Sequence, residues 1–306
     1  MLRLAAGVSY CDLNFQLRPR IVAAALLHGA GGAAIIDPGP SSTLPALNAA
    51  LAVAGLSMRD VTALLLTHIH LDHAGATGSL VRENPELRVY VHERGAPHLV
   101  DPTKLLASAS LLYGDAMDRL WGEVSPVPAR ALVVLKGGER IEEGGRQLDV
   151  AYTPGHASHH VSYFSGDTGI AFVGDTAGIK IVENGYVLPP TPPPDINLEA
   201  WDESLRTIES RRPETLFLTH FGPHGASGAH IAELRDNLAL AADLVKTSLA
   251  QDGSDEDREI WFSEELRREL RRRLGDAEGR SYEVAGRLDL SWRGLARYWR
   301  KKSGVS

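Results

Sequence analysis

The apolar run Val61–Leu66, followed at once by Thr67-His68-Ile69-His70-Leu71-Asp72-His73, constrains this chain more than any other stretch. A continuous apolar run of strand length predicts a strand covered on both faces. At its end, three histidines and an aspartate crowd into the positions 68–73. On extended backbone, residues two apart point the same way, so His68 and His70 face one direction. Asp72 and His73 turn to a second. Imidazole is the commonest metal ligand, and one short loop built this way can serve two metal ions. Gly75 and Gly78 follow and leave room for a tight turn.

Two ions need further donors, and three residues stand in suitable places. His156 follows Thr153-Pro154-Gly155, Asp175 lies in Phe172-Val173-Gly174-Asp175-Thr176, and His220 closes Leu216-Phe217-Leu218-Thr219-His220. The last segment nearly copies Leu65-Leu66-Thr67-His68. Each is a polar residue at the end of an apolar strand, where it caps a turn or binds a ligand. Behind the first motif they read as one ligand set. Donors of nitrogen and oxygen suit Zn²⁺, with Fe or Mn as alternatives. The single cysteine, Cys11, excludes an intramolecular disulfide framework and any Cys-rich zinc module.

The ordered series His68, His70, Asp72, His73, His156, Asp175, His220 resembles that of the metallo-β-lactamase-fold hydrolases. Within them it is most similar to the glyoxalase II-like branch, over roughly residues 10 to 225. The resemblance implies an α+β, four-layer αβ/βα sandwich with the site along one edge. Carried over, His68, His70 and His156 hold one metal, Asp72, His73 and His220 the second, and Asp175 bridges. Asp37 and His160 match positions that support the ligands from behind. The second half of the family's repeated Thr-Pro-Gly-His element is here Ala157-Ser158-His159-His160, a departure.

The implied chemistry is that of a dinuclear hydrolase with two divalent ions, most readily zinc. A hydroxide shared by the ions attacks a thioester, ester or lactone, with Asp72 and Asp175 as the catalytic carboxylates. A phosphodiesterase or nuclease on the same fold is one alternative, and an iron-dependent sulfur dioxygenase is another. Tyr113, Tyr186, His159 and His224 are candidates for substrate contact, lid or proton donation. His70 stands where flavo-diiron relatives carry glutamate. Asp175 stands where zinc β-lactamases carry cysteine or serine, and Gly178 where acyl-homoserine lactonases carry tyrosine. The set after Asp175 does not cleanly reproduce the glutathione-binding set of glyoxalase II.

Elsewhere, strands are expected at Ile21–Leu27, Ala33–Ile36, Leu87–His92, Val133–Leu135, Gln147–Thr153, Val161–Ser165, Ala171–Val173 and Thr215–Leu218. Helices are expected from Ser41 to Ala54, over 103–121 and at Leu198–Ser210, with the Ile231–Leu249 face, Arg258–Leu274 and Leu290–Lys302 beyond. Gln251–Asp257 reads as a linker. The division expected is a catalytic domain over 1–228 and a helical region over 229–306 packed on it. Leu188–Asp195, rich in proline, is expected to roof the site with Leu112 and Tyr113. A formal charge of −7 argues against nucleic acid as a partner. In Arg267–Arg273, interleaved glutamates make a salt-bridged helix face the expectation. No run reaches the length of a membrane span and no export pattern opens the chain, so a cytoplasmic enzyme of a small molecule is expected. Trp292, Leu295 and Trp299 share one helix face, to pack on the sandwich or on a second copy in a homodimer.

Overall fold

Successive side chains of a strand point to opposite faces, and here both faces are apolar. Along Ala23–Gly29, Ala23, Ala25 and Leu27 enter one core, whereas Ala24 and Leu26 enter another. The same split separates Ala63 and Leu65 from Val61 and Leu64. A sheet buried on both faces needs a layer on each side. The computed structural model, which describes residues 1–304, supplies both layers.

One sheet runs, side by side in chain order, β1 (Leu2–Ala5), β2 (Val8–Asp12), β3 (Ala23–Gly29), β4 (Gly32–Ile36), β5 (Val61–Leu65), β6 (Arg88–His92) and β7 (Leu132–Leu135). Pairing is antiparallel from β1 to β4 and parallel from β4 to β7. The other sheet uses β8 (Arg140–Glu143), β9 (Arg146–Tyr152), β10 (Val161–Ser165), β11 (Ile170–Phe172), β12 (Thr215–Leu218) and β13 (Gly222–His224). Its spatial order is β13-β12-β11-β10-β9-β8, and β11–β12 is its parallel pair.

Outside the first sheet lie α1 (Leu44–Val53), α2 (Leu71–Ala74), α3 (Thr77–Glu83), α4 (Ala96–Val100), α5 (Thr103–Tyr113) and α6 (Met117–Trp121). They contribute Leu47, Leu71, Leu80, Leu99, Ala109 and Trp121 to its outer core. Against the second sheet lie α7 (Leu198–Ser210), α8 (Ser227–Leu249), α9 (Asp255–Leu274), α10 (Asp276–Ala285) and α11 (Leu288–Ser303). Trp201, Leu234, Phe262, Tyr282 and Leu295 from these helices belong to one continuous buried cluster with residues of both sheets. This is the four-layer αβ/βα sandwich with C-terminal helices. Positions 305–306 of the expected helical region lie outside the described residues.

Trp292 and Leu295 are buried within the chain itself, and Trp292 Nε1 donates to Ser248 Oγ at 2.8 Å. The arginines of α9 are paired: Arg267 with Glu283, Arg268 with Glu265, Arg272 with Glu269, and Arg273 with Glu269. Among the described residues, no helix is long and apolar enough to cross a membrane.

The expected linker is shorter than 251–257. Ser254 Oγ accepts from the Asp257 backbone, and Asp257 Oδ2 accepts from the Ser254 backbone at 2.8 Å. This reciprocal cap starts α9 at Asp255. Its acidic residues therefore form a first turn, where the helix dipole favours them. The strands β1, β2, β8 and β13 and the helix α10 were not foreseen either. β8 carries charges at a sheet edge, and β13 contains Pro223, so neither shows a strand's apolar alternation.

The parallel pairs decide where the polar strand ends meet. In each sheet they deliver carboxyl ends to the same edge. Asp37 and His68 leave β4 and β5 there, and Asp175 and His220 leave β11 and β12.

Candidate metal centre

At the end of β5 the chain stays extended through His70, which opens the short helix α2. His68 and His70 therefore share a direction, and Asp72 and His73 are carried round by the helical turn. Two glycines let the other donors approach. Gly174 has φ of +45°, and a Cβ there would stand 2.6 Å from both Thr67 Oγ1 and His160 Nε2. Gly155, at φ +138°, lies so close to Trp201 that a Cβ would come within 2.4 Å of its backbone. The chain can thus place Asp175 and His156 against the β5 loop only with glycine before each.

The expected seven donors meet. His68, His70 and His156 form one group, and Asp72, His73 and His220 another. A third set, His68, His73 and Asp175, joins them, and within each group the donor atoms lie within 4.8 Å of one another. His156 Nε2 is 2.9 Å from His70 Nδ1. Asp175 faces both groups: its Oδ1 lies 3.2 Å from His73 Nε2 and 3.5 Å from His220 Nε2, and its Oδ2 lies 3.3 Å from His156 Nε2. Asp72 Oδ2 is 3.3 Å from His220 Nε2.

Behind them, hydrogen bonds fix the rings of His73, His156 and His220. His156 Nδ1 donates to the Pro190 carbonyl at 2.8 Å, and His220 Nδ1 to the Ile21 carbonyl at 2.6 Å. The Asp37 carboxylate takes His73 Nδ1 at 2.8 Å, the Thr67 backbone at 2.8 Å and the hydroxyls of Thr67 and Thr219. His160 Nε2 accepts from the Asp175 backbone at 3.3 Å, with its Nδ1 held by Thr153 and Thr176. Asp37 and His160 thus position ligands and do not join them.

Burial favours the neutral imidazole. It pushes His70 down to about 4 and His68 well below its usual range, with the neighbouring histidines adding to the effect. His73 and His220 go the other way. Burial opposes their charge, but Asp175 and, behind it, Asp37 and Asp72 for His73, or Asp72 for His220, outweigh it. Burial would raise Asp72, yet His73 and His220 hold it down at about 2.

The donor set fits divalent metal ions on a direct observation. His68 Nε2, His73 Nε2 and Asp175 Oδ1 are buried and have no hydrogen-bond partner. Leaving such atoms bare costs on the order of 1–3 kcal/mol each. They converge on one another, as ligands do.

A cavity of about 290 Å³ opens onto these donors. Tyr113, His159 and Pro190–Pro194 line it, as expected of a roof. Tyr186 and His224 do not. Tyr186 is 1% exposed in the core under the C-terminal helices, and His224 Nε2 is tied to the Lys180 carbonyl at 3.0 Å. The sequence reading missed Arg287, Leu290 and Ser291, which reach the cavity from the start of α11. No motif marks them. Arg94, His98 and Lys104, likewise without a motif, line it as well.

Comparison with known proteins agrees with this geometry. The family model described as the metallo-beta-lactamase superfamily matches residues 17–220. The metallo-beta-lactamase fold-containing protein ST1585 of Sulfurisphaera tokodaii is 29% identical over 208 residues, 67% of this chain and 74% of the relative. The hydroxyacylglutathione hydrolase of Thermosynechococcus vestitus is 32% identical over 153 residues, 49% of this chain and 47% of that one. The match thus spans about half the length of such hydrolases. In structure, the metallo-beta-lactamase family protein TTHA1429 of Thermus thermophilus superposes with a TM-score of 0.72 at 23% identity, over 98% of this chain and 95% of that one. That likeness speaks for the fold. With the donor set and the family match together, the chain belongs to the metallo-beta-lactamase superfamily.

Proposed function

We propose that this chain is a hydrolase holding two divalent metal ions, most readily zinc, and cleaving a thioester, ester or lactone. His68, His70 and His156 hold the first ion, and Asp72, His73 and His220 the second. The observation that carries the reading is Asp175, whose two oxygens face the two groups separately at 3.2 and 3.3 Å. A carboxylate so placed can serve both ions at once. When bound, such ions supply Lewis acidity and bring the pKa of a bound water toward neutrality.

The chain's own residues do the rest. Asp72 remains a carboxylate at any ordinary pH, and its side chain is the most exposed of the acidic donors, at 25%. It can accept a hydrogen bond and so orient a nucleophile from the cavity side. The hydrogen bonds at Nδ1 hold His73, His156 and His220 with Nε2 turned to the ligand groups. Around the site, Ile69, Leu71, Leu105, Leu112 and Leu290 make apolar walls. They exclude water and suit an organic acyl group.

The test is one preparation assayed on a panel of thioester, lactone, aryl ester and phosphodiester, with metal analysis alongside. The reading expects acyl turnover to exceed phosphodiester turnover, with zinc bound. Dominant phosphodiester cleavage, or iron with thiol-dependent oxygen uptake, overturns it.

A further inference from the structure

Arg287, one of the cations that line the cavity, is paired with Asp289. Arg94 and Lys104 line the cavity and form no ion pair among the described residues, and His98 lines it too. The nearby carboxylates are occupied. Asp195 accepts from the Ser158 backbone and hydroxyl, Asp101 from the Thr103 backbone and hydroxyl, and Glu93 pairs with Lys136. Asp101 stands within electrostatic range of Lys104 and Asp195 lines the cavity, but neither closes an ion pair with Arg94 or Lys104, whose charges are left unpaired. Set beside low-dielectric walls, they focus a positive field on whatever enters.

Their position relative to the ligands is informative. His159 links the two regions: its ring is 5.7 Å from that of His70, and its Cβ is 3.5 Å from where a Cβ on Gly95 would stand. Arg94 is the residue before Gly95. Its guanidinium lies over the Tyr152 ring, 5.9 Å from the centroid, which steadies the side chain and leaves its N–H fork free. Ile69, Leu105 and Ala109 line the same cavity. The cavity is therefore lined by the donor set, by apolar side chains and by two cations without an ion-pair partner.

We propose that Arg94, His98 and Lys104 form an anion subsite selecting acyl substrates that carry a phosphate or carboxylate remote from the scissile bond. This rests on the hydrolase reading above. Arg94 supplies the planar fork that fits either oxyanion, and Lys104 a mobile point charge. These residues determine specificity and take no part in bond cleavage.

Two matched pairs test it. S-acetyl-4′-phosphopantetheine and S-acetylpantetheine differ only in a terminal phosphate. The 4-nitrophenyl monoesters of glutaric and butyric acid differ in a terminal carboxylate, and the two pairs tell which anion is preferred. The wild-type chain should favour the anionic member of at least one pair by about tenfold or more in kcat/KM. The Arg94→Ala/Lys104→Ala double variant should lose that ratio, and added salt should shrink it in the wild type. Calorimetry with the non-hydrolysable S-ethyl thioethers of the two pantetheines reads phosphate binding without turnover. An anionic-to-neutral ratio near one in both pairs, or a ratio the double variant keeps, overturns the subsite. Phosphate-dependent binding without hydrolysis of any ester keeps the subsite and overturns the hydrolase reading.

Discussion

Asp37 Oδ2 receives His73 Nδ1 at 2.8 Å and the Thr67 hydroxyl at 2.7 Å, and that hydroxyl lies 3.1 Å from His68 Nδ1. A hydroxyl that donates to the carboxylate can accept from the imidazole. One buried aspartate therefore sets the tautomer of a ligand in each group, directly for His73 and through Thr67 for His68. Both rings are left with a bare Nε2, as found.

Asp37→Asn should break this relay. The amide can present an N–H to His73 Nδ1, which moves the ring proton to Nε2, the atom that has to bind metal. Loss of such support costs about 10- to 100-fold in metal affinity. Competition against a chelator of known affinity reads it. Unchanged affinity at both sites would sink the relay.

Acid should strip the two ions in order. His73 and His220 bind protons more tightly than a free imidazole, because Asp175 and Asp72 outweigh burial. His70 is pushed down to about 4 and His68 well below its usual range. As pH falls, protons therefore displace the ion held by His73 and His220 first, while His68, His70 and His156, all held below a free imidazole by burial, stay neutral to lower pH. Metal content after dialysis at stepped pH should show a plateau at one ion per chain. Loss of both ions in a single step contradicts the assignment.

Removing metal should leave the sandwich folded, since the core between the sheets does not include the donors. Cys11 reports on this. Its thiol is buried in the outer core and burial pushes it up to about 11, so at pH 8 it is neither exposed nor ionised. After chelation it should stay unreactive toward a disulfide reagent, and should react once denaturant is added. Rapid labelling of the metal-free chain would show that the ions hold the fold.

Gly294 on α11 packs against the proline-rich roof, where a Cβ would stand 2.0 Å from the Thr191 carbonyl oxygen. Gly294→Ala should push α11 off that roof at a cost of about 1–3 kcal/mol. Because Pro192–Pro194 line the cavity, KM should rise as the melting temperature falls. A stable variant with wild-type KM would separate the roof from the C-terminal helices.

The donors that converge in the candidate site were legible because each sits at a strand end that its own sequence announces: Val61–Leu66 before His68, Leu216–Leu218 before His220. Gly174 and Gly155 were visible as letters, but the close approach to Thr67 and Trp201 that requires them is tertiary. Tyr186 follows Asp175 in a loop that reads like a lid, yet Ile179 and Leu188 pair across it and turn the tyrosine into the core. Arg287 belongs to a turn between α10 and α11 with no motif, and only the packing of α11 brings it to the cavity. The edge strand β8, with Arg140, Glu142 and Glu143, takes its conformation from pairing with β9 and not from propensity.

Metal stoichiometry of the wild-type chain and of Asp175→Asn, purified from zinc-supplemented growth and measured by mass spectrometry, tests the two-ion site most directly. Asparagine keeps the size of Asp175 but not the charge that lets its two oxygens, 3.2 Å from His73 and 3.3 Å from His156, serve both groups. The account predicts about two ions per wild-type chain, falling toward one in the variant, with the rate down by about a hundredfold or more. A wild-type chain with one ion or fewer, or a variant that keeps two ions and near-normal turnover, would contradict it.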